Sequence, residues 1–211
     1  DTRLLTQFRQ ACEKEGVTYQ EHLVTGVIAT EMVRMTHEVD LVLIGRGGLH
    51  TSLSKVVLGS TVESVVRSSP KPTMVATQPY RDIRKPLLAT DGSLSAMAAL
   101  STAIDFAVQL KLPLSVVHCA SPPNRHDAFL DAIERKVASQ GIACDVDICQ
   151  GNAHEDLVRY ACERDHDLLL MGAFGHRQIV EWLLGSTTQY LLRTSPIPLV
   201  LCHADRLYGQ V

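Results

Sequence analysis

The sequence predicts an α/β protein with a doubly wound, five-stranded parallel sheet in two tandem repeats, of which the first is incomplete. Three observations predict this fold class: apolar strands alternate strictly with amphipathic helices, the strands are apolar on both faces, and the pattern occurs twice. Alternating β and α elements imply parallel strands joined by right-handed crossovers. Strands without polar alternation indicate a sheet that helices cover on both faces.

The internal repeat is visible in pairs of matching segments. The run Asp40-Leu-Val-Leu-Ile-Gly45 resembles Asp167-Leu-Leu-Leu-Met-Gly172, and Gly59-Ser60-Thr61 resembles Gly185-Ser186-Thr187. The spacing is 127 residues in the first pair (40 to 167) and 126 residues in the second (59 to 185). A nearly constant spacing over such a length indicates a duplicated unit with small insertions.

The second copy is predicted to form five strands and four helices in strict alternation. Its strands are predicted at 86–90, 114–118, 142–149, 168–172 and 199–202. Its helices are predicted after Ser93, at 127–139, at 152–164 and from Ser186. Ser93 is a typical N-cap residue, and the apolar face of the helix after it comprises Ala96, Ala99, Leu100, Ala103, Ile104, Ala107 and Val108.

The first copy lacks the beginning of the unit. Its predicted elements are a helix at 1–15, a strand at 17–24 and a helix at 28–38. Subtracting the spacing of 126 from position 86 gives −40, so roughly 40 residues of this copy have no counterpart in the sequence. Central strands cannot be lost without exposing backbone groups of their neighbours, so we expect this copy to be poorly packed or paired with another chain.

A polar, proline-bearing linker at 77–85 places the boundary between the copies near residue 80. We therefore predict a partial unit over 1–79, called the first repeat, and a complete unit over 80–211, called the second repeat. Their last strands, 73–76 and 199–202, are apolar edge strands that can cover each other. We expect these two strands to lie close together, either as an intramolecular pseudo-dimer or across a homodimer.

The composition favours an ordinary globular protein. Of 211 residues 45% are hydrophobic, and 20 Lys+Arg against 23 Asp+Glu give a formal net charge of −3, which provides no basic face for nucleic acid. No apolar run approaches the roughly 20 residues that cross a bilayer, and no signal segment is recognisable. Six cysteines without a C-x-x-C pair favour reduced, buried thiols over a disulfide framework or a metal cluster. We expect a cytoplasmic protein that binds neither nucleic acid nor a membrane.

A glycine-rich loop is predicted between the strand at 168–172 and the helix that starts at Ser186. It has the spacing G-x2-G-x9-G-S, with its glycines at Gly172, Gly175 and Gly185. Glycines let backbone N–H groups approach an anion, and a helix N-terminus with a hydroxyl beside it attracts phosphate. The spacing alone is equally consistent with glycines that only shape the turn.

This loop, with Asp91-Gly92-Ser93 at the end of the first strand and His118 closing the second, resembles the universal stress protein family over residues 86–202. ATP-binding members of that family carry G-x2-G-x9-G-(S/T) after the fourth strand and an Asp at the end of the first. The resemblance implies an adenine nucleotide alpha hydrolase-like fold, dimerisation through the last strands, and ATP as the ligand. Mg²⁺ would arrive on the phosphates and would need no protein cage.

The resemblance also implies roles for single residues. Asp91 would contact the adenosine, Ala89 would line the adenine pocket, and the backbone at Cys119 would meet the adenine edge. Gly172 would lie near the ribose. The residues implied at the phosphates are Gly175, Gly185, Ser186 and Thr187, with Met171 beneath them. For Asp91 the alternative is an Asx-turn that caps the next helix.

Two features depart from the family pattern. Phe174 and His176 stand where ATP-binding relatives often carry basic residues, and Glu181 adds a negative charge to the loop. In the first copy ten residues instead of nine separate Gly48 from Gly59, and no counterpart of Asp91 is present in the sequence. We therefore expect nucleotide binding in the second repeat and not in the first.

Three different functions are considered for a protein with this sequence. The first is a nucleotide-responsive stress or signalling protein with little or slow hydrolysis, because the loop offers no evident residue to activate water. The second is an interaction scaffold of the same fold in which ATP has no role. The third is an ATP pyrophosphatase-type enzyme, which Asp91-Gly92-Ser93 disfavours because that class carries S-G-G-x-D-S. No catalytic residue is predicted, and no metal site, since the nine histidines lack H-x3-H spacing.

Overall fold

A computed structural model describes residues 2–47, 58–119, 128–149, 153–173 and 184–204. The helices in these ranges are α1 (Thr2–Glu15), α2 (Ile28–Met35), α3 (Ser60–Ser68), α4 (Leu94–Leu110), α5 (Ala128–Ala138), α6 (Ala153–Glu163) and α7 (Ser186–Thr194). A 3-10 turn, Thr36–Glu38, extends α2. The strands are β1 (Val42–Gly45), β2 (Thr73–Ala76), β3 (Pro86–Thr90), β4 (Leu114–Cys119), β5 (Cys144–Cys149), β6 (Leu168–Gly172) and β7 (Leu199–Cys202).

These strands form one seven-stranded sheet in the order β1-β2-β7-β6-β3-β4-β5. The part contributed by the second repeat, β7-β6-β3-β4-β5, is parallel throughout and confirms the predicted five-stranded doubly wound sheet. The first repeat adds two strands, β2 and β1, which are parallel to each other. The sheet is therefore wider than predicted, because the two repeats share it.

The repeats join through β2 and β7, which run antiparallel. Thr73 lies opposite Leu201, and Val75 lies opposite Leu199. The predicted closeness of the two last strands is confirmed, and it occurs within one chain. Each of these strands has a neighbour on both sides, so neither presents a free edge to a second chain.

Residues 17–24 were predicted to form a strand, and this prediction is wrong. Val17 is 56% exposed and Leu23 is 86% exposed, and no residue of the segment belongs to the sheet. In the second repeat the corresponding strand, β5, is hydrogen-bonded to β4, its one neighbour among the described strands. The described part of the first repeat contains no counterpart of β4, so this segment has no strand with which to pair.

The open side of the first repeat is also visible at β1, which is bonded only to β2 among the described strands. Leu43 of β1 is 64% exposed, whereas Leu170, its counterpart in β6, is fully buried. Leu170 packs in the core layer formed with α4 and α5. No described helix of the first repeat occupies the place of α4, which explains the exposure and agrees with the expectation of poor packing.

Helix α4 buries a wider stripe than its sequence predicts. Six of the seven predicted core positions are buried, but Val108 is 48% exposed. The buried surface instead extends to Ala98 and to the polar Ser95 and Thr102. The contact stripe is thus rotated away from Val108, because the helix packs against β3, β6 and β7 together.

The side chains described for five cysteines are free thiols: Cys12, Cys149 and Cys202 are buried, Cys144 is half-buried and Cys162 is exposed. The expectation of buried thiols is therefore wrong for Cys162, which lies on the outer side of α6. None of the helices in the described ranges has both the length and the apolar character needed to span a membrane.

A polar and aromatic cluster fixes the linker to the amino edge of the second-repeat sheet. The Asp167 carboxylate accepts hydrogen bonds from the backbone N–H groups of Arg84 (2.7 Å) and Lys85 (2.9 Å). Beside it the His166 ring stacks on Tyr160, with ring centroids 6.0 Å apart, and His166 Nδ1 lies 3.1 Å from the Lys85 carbonyl oxygen. His166 is 5% exposed, so a proton added to its ring would be placed in a largely water-free environment.

The position of His166 predicts a pH dependence of stability. Burial lowers the pKa of His166 below its ordinary value of 6.5, so the unfolded chain takes up this proton at a higher pH than the folded chain does. The free energy of unfolding should therefore fall as the pH drops below about 6.5. Urea denaturation between about pH 7.5 and about pH 5.5 should show this loss, and His166→Gln should flatten it. His22→Gln, which replaces an exposed histidine, should leave the pH dependence of the free energy of unfolding as it is in the wild type.

Candidate functional site

The candidate site lies at the edge where the carboxyl ends of β3, β4 and β6 meet. Ala89 of β3 is paired with Val117 of β4 on one side and with Met171 of β6 on the other. From β3 the chain winds through β4 and β5 in one direction, and β6 and β7 lie in the other. A crevice outside the strand ends at such a reversal is where ligands bind to open α/β sheets.

Asp91 follows β3 directly and is exposed at this edge. Its Oδ1 accepts a hydrogen bond from the backbone N–H of Ser93 (2.9 Å), and Ser93 Oγ accepts one from the N–H of Ala96 (3.2 Å). The Asx-turn weighed as the alternative for Asp91 is therefore present, and it leads into the predicted N-cap of α4. A contact with adenosine remains a prediction for the same exposed carboxylate.

The other residues predicted around the nucleoside are backbone or core positions. Ala89 and Met171 are 7% and 8% exposed and belong to the core layer under α3, α6 and α7. Cys119 is the last residue of β4 and is paired with Cys149 of β5. These three positions thus lie at the ends of adjacent strands, and their roles at a nucleotide remain predictions.

Gly172 ends β6, and the structure gives it a packing role that the sequence does not reveal. A Cβ atom at this position would lie 2.5 Å from Ser95 Oγ and 2.7 Å from the backbone nitrogen of Ala96. The first turn of α4 therefore rests directly on the end of β6. A glycine is required there by helix–strand packing alone, and the predicted proximity of Gly172 to a ribose remains untested.

The N-terminus of α7 provides donors for an anion. Gly185 is its N-cap residue and has no side chain with which to cap α7, in contrast to Ser93, which caps α4. The first N–H groups of a helix have no intrahelical acceptor and carry the positive end of the helix dipole. Ser186 is exposed and Thr187 is half-buried in this turn. Gly175 lies outside the described residues, as do Phe174, His176 and Glu181.

Thr188 is a residue of the site that sequence reasoning missed. Its side chain is buried, and its Oγ1 donates a 3.0 Å hydrogen bond to the carbonyl oxygen of Ala173. Ala173 follows β6, and its own N–H donates to Cys202 (2.8 Å). Thr188 therefore ties the start of the glycine loop to the first turn of α7. The sequence contained a signal for this residue. Thr188 is polar at a position where the first repeat has the apolar residue Val62.

Thr188→Val removes this hydrogen bond while keeping the shape of the side chain. We expect the variant to fold and to weaken the predicted ATP binding by up to roughly fivefold, since the first turn of α7 loses a positioning bond that contributes about 1 kcal/mol. Isothermal titration calorimetry measures the change. Thr194→Val on the same helix is the matched control, because among the described residues the Thr194 hydroxyl donates to Tyr190 within α7 and not to another element. Equal losses in the two variants would contradict a special role for Thr188.

Two of the histidines considered in the sequence make backbone contacts. His118 Nδ1 lies 2.9 Å from the Thr90 carbonyl oxygen, and its ring meets Phe129 edge-on at 6.1 Å between centroids. The bond to a carbonyl requires a proton on Nδ1. His203 is buried, and its Nε2 contacts the Val66 carbonyl oxygen at the end of α3. Within the described ranges no three His, Cys, Asp or Glu side chains are grouped to hold a metal ion.

Comparison with known proteins agrees with this fold. The sequence model of the Universal stress protein family matches residues 2–77 and 124–203. The chain belongs to the universal stress protein family. Universal stress protein Slr1230 from Synechocystis sp. is 32% identical over 178 residues, which are 83% of this chain and 62% of that protein. The chain thus spans less than two thirds of the length of this relative.

Solved structures of universal stress proteins have the same fold. One from Archaeoglobus fulgidus DSM 4304 aligns with a TM-score of 0.80 at 23% identity, over 96% of this chain and 77% of that one. A putative universal stress protein from Pseudomonas aeruginosa UCBPP-PA14 aligns with a TM-score of 0.67 at 18% identity, over 99% and 83%. At these identities the likeness shows the fold alone.

Proposed function

We propose that this universal stress protein binds ATP at the second repeat, in the cytoplasm, and that occupancy changes its conformation or its partners. The observation that carries the proposal is the arrangement of α7 against β6. The helix starts at a glycine, whose missing side chain leaves room for a ligand, and Thr188 holds the first turn of α7 beside the strand end. Backbone donors at such a position bind phosphate without any charged side chain.

The nucleoside half of the proposed site is formed by the neighbouring strand ends. Asp91 extends from β3 with an exposed carboxylate, which can accept hydrogen bonds from ribose hydroxyl groups. Ala89 and the backbone at Cys119 are proposed to meet the adenine. The crevice between β3 and β6 would thus hold the nucleoside, and α7 would hold the phosphates together with Gly185, Ser186 and Thr187.

Slow hydrolysis or none is part of the proposal. Gly185, Ser186 and Thr187 carry no group that takes a proton from water at neutral pH, and donors at a helix N-terminus stabilise phosphate without activating a nucleophile. Mg²⁺, where present, would be held by the phosphates and by water.

Two measurements test the proposal. Mass spectrometry of the small molecules released from denatured, purified protein should reveal an adenine nucleotide. Calorimetry on the full chain should give tighter binding of ATP than of GTP, because the adenine edge is proposed to meet the backbone at Cys119. Protein that carries no nucleotide and shows no heat of ATP binding would refute the proposal.

That negative result would favour the second candidate, an interaction scaffold in which ATP has no role. The observation that supports it is the joint between β2 and β7, which makes one body of the two repeats. In this case the intramolecular pairing of the repeats would itself be the functional unit. The glycines of the loop would then only shape the turn into α7.

A further inference from the structure

The first repeat makes a direct contact with the far end of α7. Arg46 follows β1, and its Nη2 donates a hydrogen bond to the carbonyl oxygen of Ser195. Ser195 is the C-cap residue of α7 and is 1% exposed. The helix therefore has the proposed phosphate site at its N-terminus and a guanidinium from the other repeat at its C-terminus.

The antiparallel joint makes this contact possible. Because β2 and β7 run in opposite directions, the carboxyl end of β1 lies at the same edge of the sheet as the amino end of β7. Helix α7 crosses the sheet to reach that edge before β7 begins. A second contact follows the same path, since Thr77 Oγ1 lies 3.4 Å from the carbonyl oxygen of Pro196.

The charge of Arg46 suits this position. The last carbonyl groups of a helix lack intrahelical donors and carry the negative end of the dipole, so a cation there is stabilising. The guanidinium is half-buried, and its Nε has no acceptor among the described residues. Partial burial reduces solvent screening and strengthens the interaction with the helix end.

The arginine is specific to the first repeat. The position that corresponds to Arg46 in the second repeat is Ala173, which is fully buried. The backbone environments match, because the N–H of Arg46 donates to Ala76 and that of Ala173 donates to Cys202. The duplication thus preserved the turn, and at this position the first repeat has a side chain that reaches the other repeat, whereas the second repeat has an alanine.

We propose that Arg46 is a positioning residue through which the first repeat sets the ATP affinity of the second. The proposal rests on the proposed function of the second repeat. Helix α7 has nine residues and is fixed near its start by Thr188 and at its end by Arg46. Releasing one end lets a short helix fray or tilt, and the N–H groups around Ser186 then lose their fixed direction towards a phosphate.

The test uses the full chain with Arg46→Met, which keeps the apolar stem and removes the charge and the donors. ATP affinity by calorimetry should fall about fivefold or more. Hydrogen exchange of the α7 amides, measured without nucleotide, should become faster. Arg46→Lys, which restores a cation, should recover part of both effects. Thr77→Val is the control, because Thr77 lies at the same joint but carries no charge. This variant should bind ATP like the wild type.

The outcomes separate this inference from the proposed function. If the wild-type chain binds no ATP, the proposed function fails and the inference fails with it. If the wild type binds ATP and Arg46→Met binds it equally well, only the inference is overturned. Should Arg46→Met fail to fold, Arg46→Gln keeps a donor without the charge and is judged by the same fivefold criterion.

Discussion

Gly185→Val is expected to abolish ATP binding by the full chain while its fold stays intact. Gly185 has φ −58° and ψ 150°, a conformation that any L-residue adopts, so valine introduces no backbone strain. Its side chain would stand in front of the first N–H groups of α7, where a phosphate must approach closely. Calorimetry should show no measurable ATP binding, and circular dichroism should match the wild type.

The first repeat offers a matched control in Gly59→Val. Gly59 is the N-cap of α3 with a similar conformation, and the nearest atom to an added Cβ is 3.8 Å away, in Val62. This variant should bind ATP normally. In Ser186→Ala the ATP affinity should fall only roughly fivefold. One hydroxyl contributes about 1 kcal/mol, and the backbone N–H groups that bind phosphate remain. Undiminished affinity in Gly185→Val would move the site elsewhere and return Gly185 to a structural role.

Gly172→Ala is expected to have a large effect on stability. The new Cβ would lie 2.7 Å from the backbone nitrogen of Ala96 and 2.8 Å from the carbonyl carbon of Ser95. These are backbone atoms in the first turn of α4, so the helix must move away from β6. Forced overpacking of this kind costs about 1 to 3 kcal/mol, and the loss should appear as a lower urea midpoint.

Gly45→Ala is the control that the duplication provides. Gly45 ends β1 as Gly172 ends β6, but the nearest atom to its added Cβ is the Gly47 carbonyl oxygen at 3.9 Å. The change in the free energy of unfolding should stay within about 0.5 kcal/mol. Similar losses in the two variants would show that the packing of α4 does not explain the glycine at 172.

The elements of the second repeat were predictable because their signals are local. Strand β6 is a run of apolar residues, and Ser93 is an N-cap with a side chain that accepts from Ala96, as its position predicts. The spacing of the repeat then correctly identified two helices and the last strand of the first copy by comparison, α1, α2 and β2. The pairing of the two last strands was implied by the family resemblance, and their apolar character agrees with the need to cover sheet edges.

The failures arise where structure depends on a distant partner. The segment 17–24 has the pattern of a strand, but a strand forms only where a neighbour accepts its hydrogen bonds. The exposure of Val108 likewise reflects how α4 sits on several strands at once, which its own periodicity cannot specify.

The site was predictable only in outline. From the sequence, Asp91 and Gly172 were expected at the carboxyl ends of two strands, with the start of α7 close to them. The fold places these two strands, β3 and β6, side by side. It could not distinguish a glycine needed by a ligand from one needed by a helix, since both require a missing Cβ. The bond from Thr188 to Ala173 joins two ends of a loop, and only the folded chain reveals it.

The two ends of the sheet differ in how they would receive a further strand. At one end β5 carries Asp145 and Asp147, and charges on an edge strand oppose strand addition. At the other end β1 has the uncharged sequence Val42–Gly45, with Leu43 exposed and no described neighbour on its outer side. Among the described strands, a further strand would therefore be accepted at β1 and not at β5. Two copies of the described sheet that met through β1 would leave only charged edge strands, so pairing at this edge would give a closed pair and not an open-ended fibre.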